Sequence, residues 1–316
     1  MQKNFLSIDI GGTNLKYGVI DRSGNLLKKK SLPTPTKNLD EFLKCLFSII
    51  NQNISLIRGV AISCPGKIDT KKGIVHFGGS LPFLDNLNFK EEIRKRYSSL
   101  IISVTNDGKA AALAEQWLGS LKGIDNAAAI VLGTGVGGGI IVNGHLLQGK
   151  NFQAGELSFM VTDMKQSGLD QLVGFNGSAV NLISSIADKY PEIQKNDGIA
   201  VFKKIKKDHV ANILFEQYCR RIAYLILNIQ SVVDLEKYAI GGGISAEPIV
   251  VQTINKQYSQ LLEDVPILSK TLTKPEIVKA YFENDANLYG ALYGLLLELD
   301  KQEWSPSKIA VNEYLQ

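Results

Sequence analysis

Residues Phe5 to Asp21, "FLSIDIGGTNLKYGVID", form an apolar stretch that is interrupted and then resumes, and "AAAIVLGTGVGGGIIVNGHLL" from Ala127 to Leu147 repeats the plan. Each reads as strand, glycine-rich turn, strand, polar turn and third strand, an internal repeat at the level of pattern. In the first copy Gly11, Gly12, Thr13 and Asn14 separate the two strands. A hairpin built only for tightness needs about two turn residues. Small residues placed there expose backbone N–H groups without side chains in the way, which suits a phosphate. An ordinary hairpin with a long turn is the competing reading of this stretch taken alone.

The rest of the chain alternates strands and helices around these hairpins. Leu26–Ser31 continues the first hairpin, and Leu39 to about Asn53 has the helical spacing Phe42, Leu46, Ile49, Ile50. "IRGVAISCPGKID" reads as a buried strand ending at Cys64-Pro65-Gly66, and "LIISVT" runs into the helical "NDGKAAALAEQWLG". The second half predicts helices at about Ser178–Lys189, Gly198–Lys207, Val210–Val233 and Pro248–Leu262, the strand "KYAIGGGIS" and a last helix "NDANLYGALYGLLLEL". The pattern predicts an α/β protein of two lobes, residues 1–120 and 121–300, with a Trp304- and Pro306-containing tail over 301–316. Two such lobes imply a cleft between them, a common place for ligands.

Composition excludes several classes. A net charge of only +4, with scattered lysines, leaves no footprint for nucleic acid or membrane. No apolar run approaches the roughly 18 residues of a membrane span, and the start "MQKNFLSIDIGG" lacks a signal-peptide apolar region. Cys45, Cys64 and Cys219 are odd in number and far apart, which reads as reduced thiols of a cytoplasmic protein.

Two familiar phosphate motifs fail on context. Gly133, Gly135 and Gly138 satisfy G-x-G-x-x-G, but strand rather than helix follows, so a dinucleotide fold is excluded. Gly144-x4-Gly149-Lys150 is followed by Asn151, where a P-loop requires Ser or Thr. Two glycine hairpins converging on phosphates remain, with "IGGGIS" (Ile240–Ser245) as a third turn suited to close approach by a flat adenine.

"DIGGTNLKYGVID", "SCPGKID", "NDGKAAALAE", "GTGVGGGIIVNGHLLQGKNFQAGE", "IGGGIS" and "NDANLYGALYGLL" together, in this order and over about residues 4 to 299, resemble the ROK family of sugar kinases and sugar-responsive repressors. The resemblance implies the two-lobed, actin-like and hexokinase-like ATPase fold, a duplicated ribonuclease H-like design with ATP and sugar in the interlobe cleft. It implies Asp107 as catalytic base, since a carboxylate within hydrogen-bond reach of the sugar 6-hydroxyl can orient it and take its proton. The competing reading is that Asn106 and Asp107 cap a helix. Asp9 is expected to serve the Mg2+–phosphate side through water. Gly11, Gly12, Thr13 and Asn14, and Thr134, Gly135, Val136, Gly137, Gly138 and Gly139, are expected to contact ATP phosphates, and Gly242 and Gly243 the adenosine. Lys16 either adds charge there or faces solvent. Glu156, with Gly66, Gly79, Asn106 and Asp107, is expected to bind the sugar.

The departures from the family pattern are informative. Ser158-Phe159-Met160 stands where a histidine usually follows the glutamate, and "TDMKQSGLDQLVGFNGSAV" contains no cysteine. A tetrahedral zinc site needs several Cys or His ligands together, so no structural zinc is expected. In this the chain is similar to the zinc-less β-glucoside kinase branch. The family's usual sugar-contacting glutamate in that cluster has no match either, so the resemblance implies a C1 side without two crowding groups, where Phe159 or Phe152 could stack on a second ring, unless Phe159 packs in the core. The expected activity is ATP-dependent 6-phosphorylation of a hexose or β-glucoside, with an N-acetylmannosamine kinase or glucokinase as the alternative. A sugar-sensing repressor needs a helix-turn-helix ahead of the first strand, where only a few residues stand. The expected partner is a small sugar, and a homodimer is left open.

Overall fold

The structure, a computed structural model, describes residues 4–303. The described chain divides into two compact units: one runs to Trp117 and includes Gln148–Gln153 and residues 285–303, the other comprises Leu118–Leu147 and Ala154–Asn284.

The first unit opens with strands β1 (Asn4–Ile10), β2 (Asn14–Ile20) and β3 (Leu26–Pro33), followed by helix α1 (Leu39–Asn53) and β4 (Ile57–Cys64). A small hairpin, β5 (Lys67–Asp69) and β6 (Ile74–Phe77), and a short helix α2 (Phe89–Arg94) precede β7 (Ile101–Asn106) and α3 (Asp107–Leu118). The sheet order is β3-β2-β1-β4-β7. β1 and β2 are antiparallel, whereas β4 runs parallel to both β1 and β7. Helix α1 starts where Asn38 accepts a hydrogen bond from the Glu41 N–H, a cap that typically contributes about 1 kcal/mol. Its Phe42, Leu46, Ile49 and Ile50 are buried on one face against the sheet's own core.

The second unit repeats the design. β8 (Ala127–Leu132), β9 (Val136–Val142) and β10 (His145–Leu146) form an antiparallel trio; helices α4 (Val173–Asn176), α5 (Ala179–Ala187), α6 (Gly198–Ile205) and α7 (His209–Val233) follow. Then come β11 (Lys237–Gly241), α8 (Pro248–Asp264), α9 (Pro266–Thr271) and β12 (Glu276–Lys279). The order β10-β9-β8-β11-β12 reproduces that of the first sheet, third-second-first-fourth-fifth, again with parallel pairing on the far side of the first strand. The repeat read from two hairpins therefore extends to both whole sheets. This is the two-lobed, hexokinase-like architecture.

The lobe boundaries differ from a division at residue 120. The last helix, α10 (Ala286–Glu303), belongs to the first unit and not to a 121–300 lobe. Leu288, Leu292, Leu295 and Leu296 pack with Phe5, Ile20 and Ala61, and a buried leucine of this kind typically contributes about 1.5–3 kcal/mol. The crossing on α3 is so close that a Cβ at Gly290 would stand 1.6 Å from the Ala110 carbonyl oxygen. Trp117 at the end of α3 stacks on Tyr293, ring centroids 5.3 Å apart. α10 runs three residues into the segment read as a tail; the remainder of that tail, 304–316, lies outside the described residues. Among the described residues no helix is long and apolar enough to cross a membrane.

Candidate functional site

In the first unit the parallel strands β1, β4 and β7 end side by side. Asp9 is in register with Ser63, and Cys64 with Asn106, so the carboxyl ends of three adjacent strands present Asp9, the Cys64-Pro65-Gly66 turn and Asn106-Asp107 along one edge. That edge is where open α/β sheets bind ligands. Asp107 is the first residue of α3, directly after the strand. Its Oδ1 accepts hydrogen bonds from the Gly108 N–H at 2.8 Å and the Asn106 side-chain amide at 3.0 Å. Asn106 also caps the helix, accepting from the Lys109 N–H at 3.1 Å, and donates to the Gly66 carbonyl at 3.0 Å. The capping role thus falls to Asn106, which at the same time locks the Asp107 carboxylate to the Gly66 turn.

Asp9 is 6% exposed. One of its oxygens accepts from the Asn287 side-chain amide at 3.0 Å, and the other lies 3.8 Å from the Lys16 ammonium. Burial raises its pKa above the usual carboxylate range, opposed by the Asn287 hydrogen bond and the Lys16 charge. Lys16 is thereby drawn toward the acid instead of facing away from it. Cys64 lies between the two acids: burial first, then the charges of Asp107 and Asp9, push its thiol well up. A thiol held in that form is inert as a nucleophile.

The first glycine turn is exposed at Gly12, Thr13 and Asn14. Its carbonyls are turned the other way: Thr34 donates its hydroxyl to Gly11 O at 2.6 Å and its N–H to Thr13 O at 2.9 Å. A Cβ on Gly12 would stand 2.9 Å from Ser80 Oγ, so the turn abuts the loop carrying Gly79. Gly66 has φ +93° and no room for any side chain, 1.7 Å separating a built Cβ from Phe77 O. Gly79, φ +60°, lies against Pro65. Asp9, the Gly11–Asn14 turn, Gly66, Gly79, Asn106 and Asp107 are therefore gathered in one unit.

The second hairpin differs from a loop running from Thr134 to Gly139. The turn is Gly133-Thr134-Gly135, closed by the Gly133 N–H donating to Gly135 O at 3.0 Å. Val136, Gly137, Gly138 and Gly139 are strand residues, in register with Leu132, Val131, Ile130 and Ala129. Val136 is fully buried, and its carbonyl accepts from the Ser158 hydroxyl at 3.0 Å. Gly138 is small because Leu157 and the Ala129 carbonyl would each stand 2.5 Å from its Cβ. Thr134 is exposed at the tip. Gly242, φ +92°, passes so close to the end of β8 that a Cβ would lie 2.1 Å from Leu132 O, whereas Gly243 faces open space. The third turn thus sits beside the second hairpin within the same unit.

Glu156 is exposed and opens the 3₁₀ turn Leu157–Phe159. Gly155, φ +78°, approaches the backbone of Gly139 and Ile140, which fixes the glutamate to β9. Phe159 is 67% exposed and does not pack in the core. The sequence signals did not single out Ser80, Thr34, Asn287 or Lys109. Lys109 could have been noticed as a cation in the first turn of a helix, directly before an apolar run, Ala110 to Ala114.

From Leu157 to Gly177 there is no Cys or His, and among the described residues no group of three or more His, Cys, Asp or Glu could hold a metal ion. The residues present do not fit a tetrahedral zinc. Mg2+ makes a different demand, one or two carboxylates with the remaining positions taken by water and phosphate oxygens, and the buried Asp9 beside the glycine turn fits it.

The chain is similar along nearly its whole length to known sugar kinases. A β-glucoside kinase of Listeria monocytogenes is 29% identical over 304 residues, covering 94% of this chain and 99% of the relative. A glucokinase of Thermotoga maritima is 26% identical, covering 90% and 95%. The crystal structure of a ROK family protein from Streptococcus pneumoniae in complex with sucrose superposes with a TM-score of 0.81 at 26% identity, covering 94% of this chain and 99% of that one. The ROK family pattern itself matches residues 5–297, nearly every element described above, and this chain belongs to the ROK family.

Proposed function

We propose that the protein is an ATP-dependent carbohydrate kinase that phosphorylates the 6-hydroxyl of a hexose or β-glucoside. The observation that carries this reading is the gathering of Asp9, the Gly11–Asn14 turn and Asn106-Asp107 at the carboxyl ends of β1, β4 and β7. Asp107 accepts the proton of the sugar O6 as that oxygen bonds to the γ-phosphorus of ATP. The bond from that phosphorus to the β,γ-bridging oxygen breaks, and ADP leaves with the bonding pair. Such transfers are driven mainly by positioning and charge stabilisation. Asn106 holds Asp107 Oδ1 toward its amide, setting the carboxylate's orientation. The exposed amides of Gly12 and Thr13, the Gly133–Gly135 turn and the Thr134 hydroxyl are the groups we assign to the phosphates, with Gly242 and Gly243 beside the adenosine. Mg2+, when bound with ATP, neutralises phosphate charge, and Asp9 is the residue that would hold it through water. Glu156, Gly66 and Gly79 are assigned to the sugar.

Among sugars we favour β-glucosides. Phe159 is exposed three residues after Glu156 and available for stacking against a second ring. The Listeria relative is named a β-glucoside kinase, and the Streptococcus relative was solved with a disaccharide. Cys45, Cys64 and Cys219 are free, which supports a cytoplasmic setting, where ATP is also available. The test is a coupled assay of ADP release with Mg2+–ATP across cellobiose, other β-glucosides, glucose and N-acetylmannosamine. Sugar-dependent ADP release is expected, with kcat/KM for a β-glucoside at least comparable to that for glucose. Absence of sugar-dependent release with every sugar contradicts the kinase reading.

A further inference from the structure

On helix α7, Arg221 follows Gln217 and Tyr218 by four and three residues, so the helix puts it beside both. These residues line a cavity of about 340 Å³ whose other walls are α5 and the chain from Asp163 to Asn176, all within the second unit. Tyr218 is only 1% exposed, and its hydroxyl has no hydrogen-bond partner among the described residues. A buried hydroxyl left unpaired is destabilising and calls for an explanation. Arg220 pairs with Asp264 at 2.6 Å, whereas Arg221 has no ion pair or hydrogen bond among the described residues. The Asp170 carboxylate and the side-chain amides of Gln166 and Gln217 are unused in the same way. Asp163 accepts from the Lys165 N–H at 3.1 Å through one oxygen and keeps the other. Phe175 adds an exposed ring to the lining.

The lining mixes signs. Two carboxylates repel phosphates and other anions, and Arg221 opposes a cation. Two amides and a phenol remain, each able to donate and to accept. A neutral ligand with many hydroxyls uses all of these groups, donating to the carboxylates and accepting from the guanidinium, while its C–H face lies on the Phe175 ring. The cavity is at the small end of ligand sites, which run from about 300 to 1,000 Å³. We propose that it is a second carbohydrate site of the chain, separate from the one assigned to Glu156, and that it takes a neutral, unphosphorylated sugar. No residue assigned to the substrate or to ATP lines it. On α4, Phe175 and Asn176 line the cavity, whereas the preceding Gly174 abuts Ser158 in the turn that Glu156 opens. The inference goes beyond the kinase reading and does not depend on it.

Equilibrium dialysis with radiolabelled glucose, cellobiose and N-acetylmannosamine counts the sites per chain in wild type, Arg221→Ala, Tyr218→Phe and Glu156→Gln. At least one of these sugars is expected to fill two sites. Arg221→Ala, at a half-buried side chain without partners, is expected to weaken one site by at least about tenfold, the loss of a hydrogen bond to a charged group, and to leave the other unchanged. Tyr218→Phe is expected to weaken the same site by a smaller factor, and Glu156→Gln only the other. A single site that is lost in Glu156→Gln overturns the proposal, as does a second site that neither Arg221→Ala nor Tyr218→Phe weakens. A second site that free glycine or inorganic phosphate fills in preference to every sugar overturns it too, and so does a wild-type protein that binds none of the three sugars. Failure of the kinase reading is distinct: no sugar-dependent ADP release, with a sugar still bound and its affinity reduced by Arg221→Ala.

Discussion

The Asn287 side-chain amide donates to the Asp9 carboxylate at 3.0 Å, joining α10 to the end of β1 across 278 residues of chain. The contact ties the beginning of the last helix to the first unit, whose leucine packing holds the rest of it, and it gives a buried acid a donor besides the nearby Lys16 ammonium. Asp9 nevertheless has a raised pKa, with burial as the largest cause.

A raised carboxylate pKa means that the folded state binds the proton more tightly than the unfolded state does. The ionised Asp9 therefore costs stability at neutral pH, and the cost is relieved as pH falls through its folded pKa toward the ordinary value. Asp9→Asn is expected to melt at or above the wild-type temperature at pH 7, with the gap narrowing at lower pH, while turnover with Mg2+–ATP is largely lost. Melting curves from pH 7 to pH 5 with parallel assays check this. A variant markedly less stable than wild type at pH 7 would count against a strained, functional carboxylate.

Asn287→Ala removes the hydrogen bond that most opposes the burial of Asp9. The acid limb of the kcat/KM profile is expected to move to higher pH than in wild type, with activity regained on raising pH. The pH–rate profiles of the two proteins decide it; an unmoved acid limb would show that Asp9 ionisation does not limit the reaction.

Gly290→Ala tests the docking of α10. The added Cβ would meet the Ala110 carbonyl at 1.6 Å, and overpacking of this kind typically costs about 1–3 kcal/mol, more where backbone must move. A lowered melting temperature, accompanied by weaker use of ATP as Asn287 leaves Asp9, is the expected result. An unchanged melting temperature would mean that the two helices separate at little cost.

The chain between Leu157 and Gly177 offers no Cys or His. Elemental analysis of purified, tag-free protein is expected to find well below one zinc per chain, and chelators are expected to leave the melting temperature unchanged. Stoichiometric, tightly held zinc would contradict this.

Local signals were legible wherever a residue's role depends on its sequence neighbours. Asn106 and Asp107 stand at a strand end before an alanine-rich helix, and Gly11 to Asn14 interrupt a strand, so both could be read directly. Roles set by distant partners were not. The run Gly137–Gly139 looks like turn, but it pairs with β8 as part of β9, and residue 138 is glycine because Leu157 needs the space a Cβ would take. The amphipathic pattern of α10 shows that it packs, not on which sheet. β12 is only four residues long, too short for a periodicity of its own, and owes its place to pairing with β11. Lys109, whose ammonium donates to the Phe152 carbonyl, and Asn287, which donates to Asp9, acquire their meaning from partners far away in the chain.

Asp107→Asn tests the central claim most directly. The amide keeps the side chain's shape and can still meet the Asn106 and Gly108 donors through its oxygen, but it cannot take the O6 proton. With the preferred sugar and saturating Mg2+–ATP, kcat is expected to fall by at least about 100-fold, the low end of general base contributions, while calorimetric sugar affinity stays within a few-fold of wild type. A correctly folded Asp107→Asn protein that turns over like wild type would remove Asp107 from the base role and contradict the account.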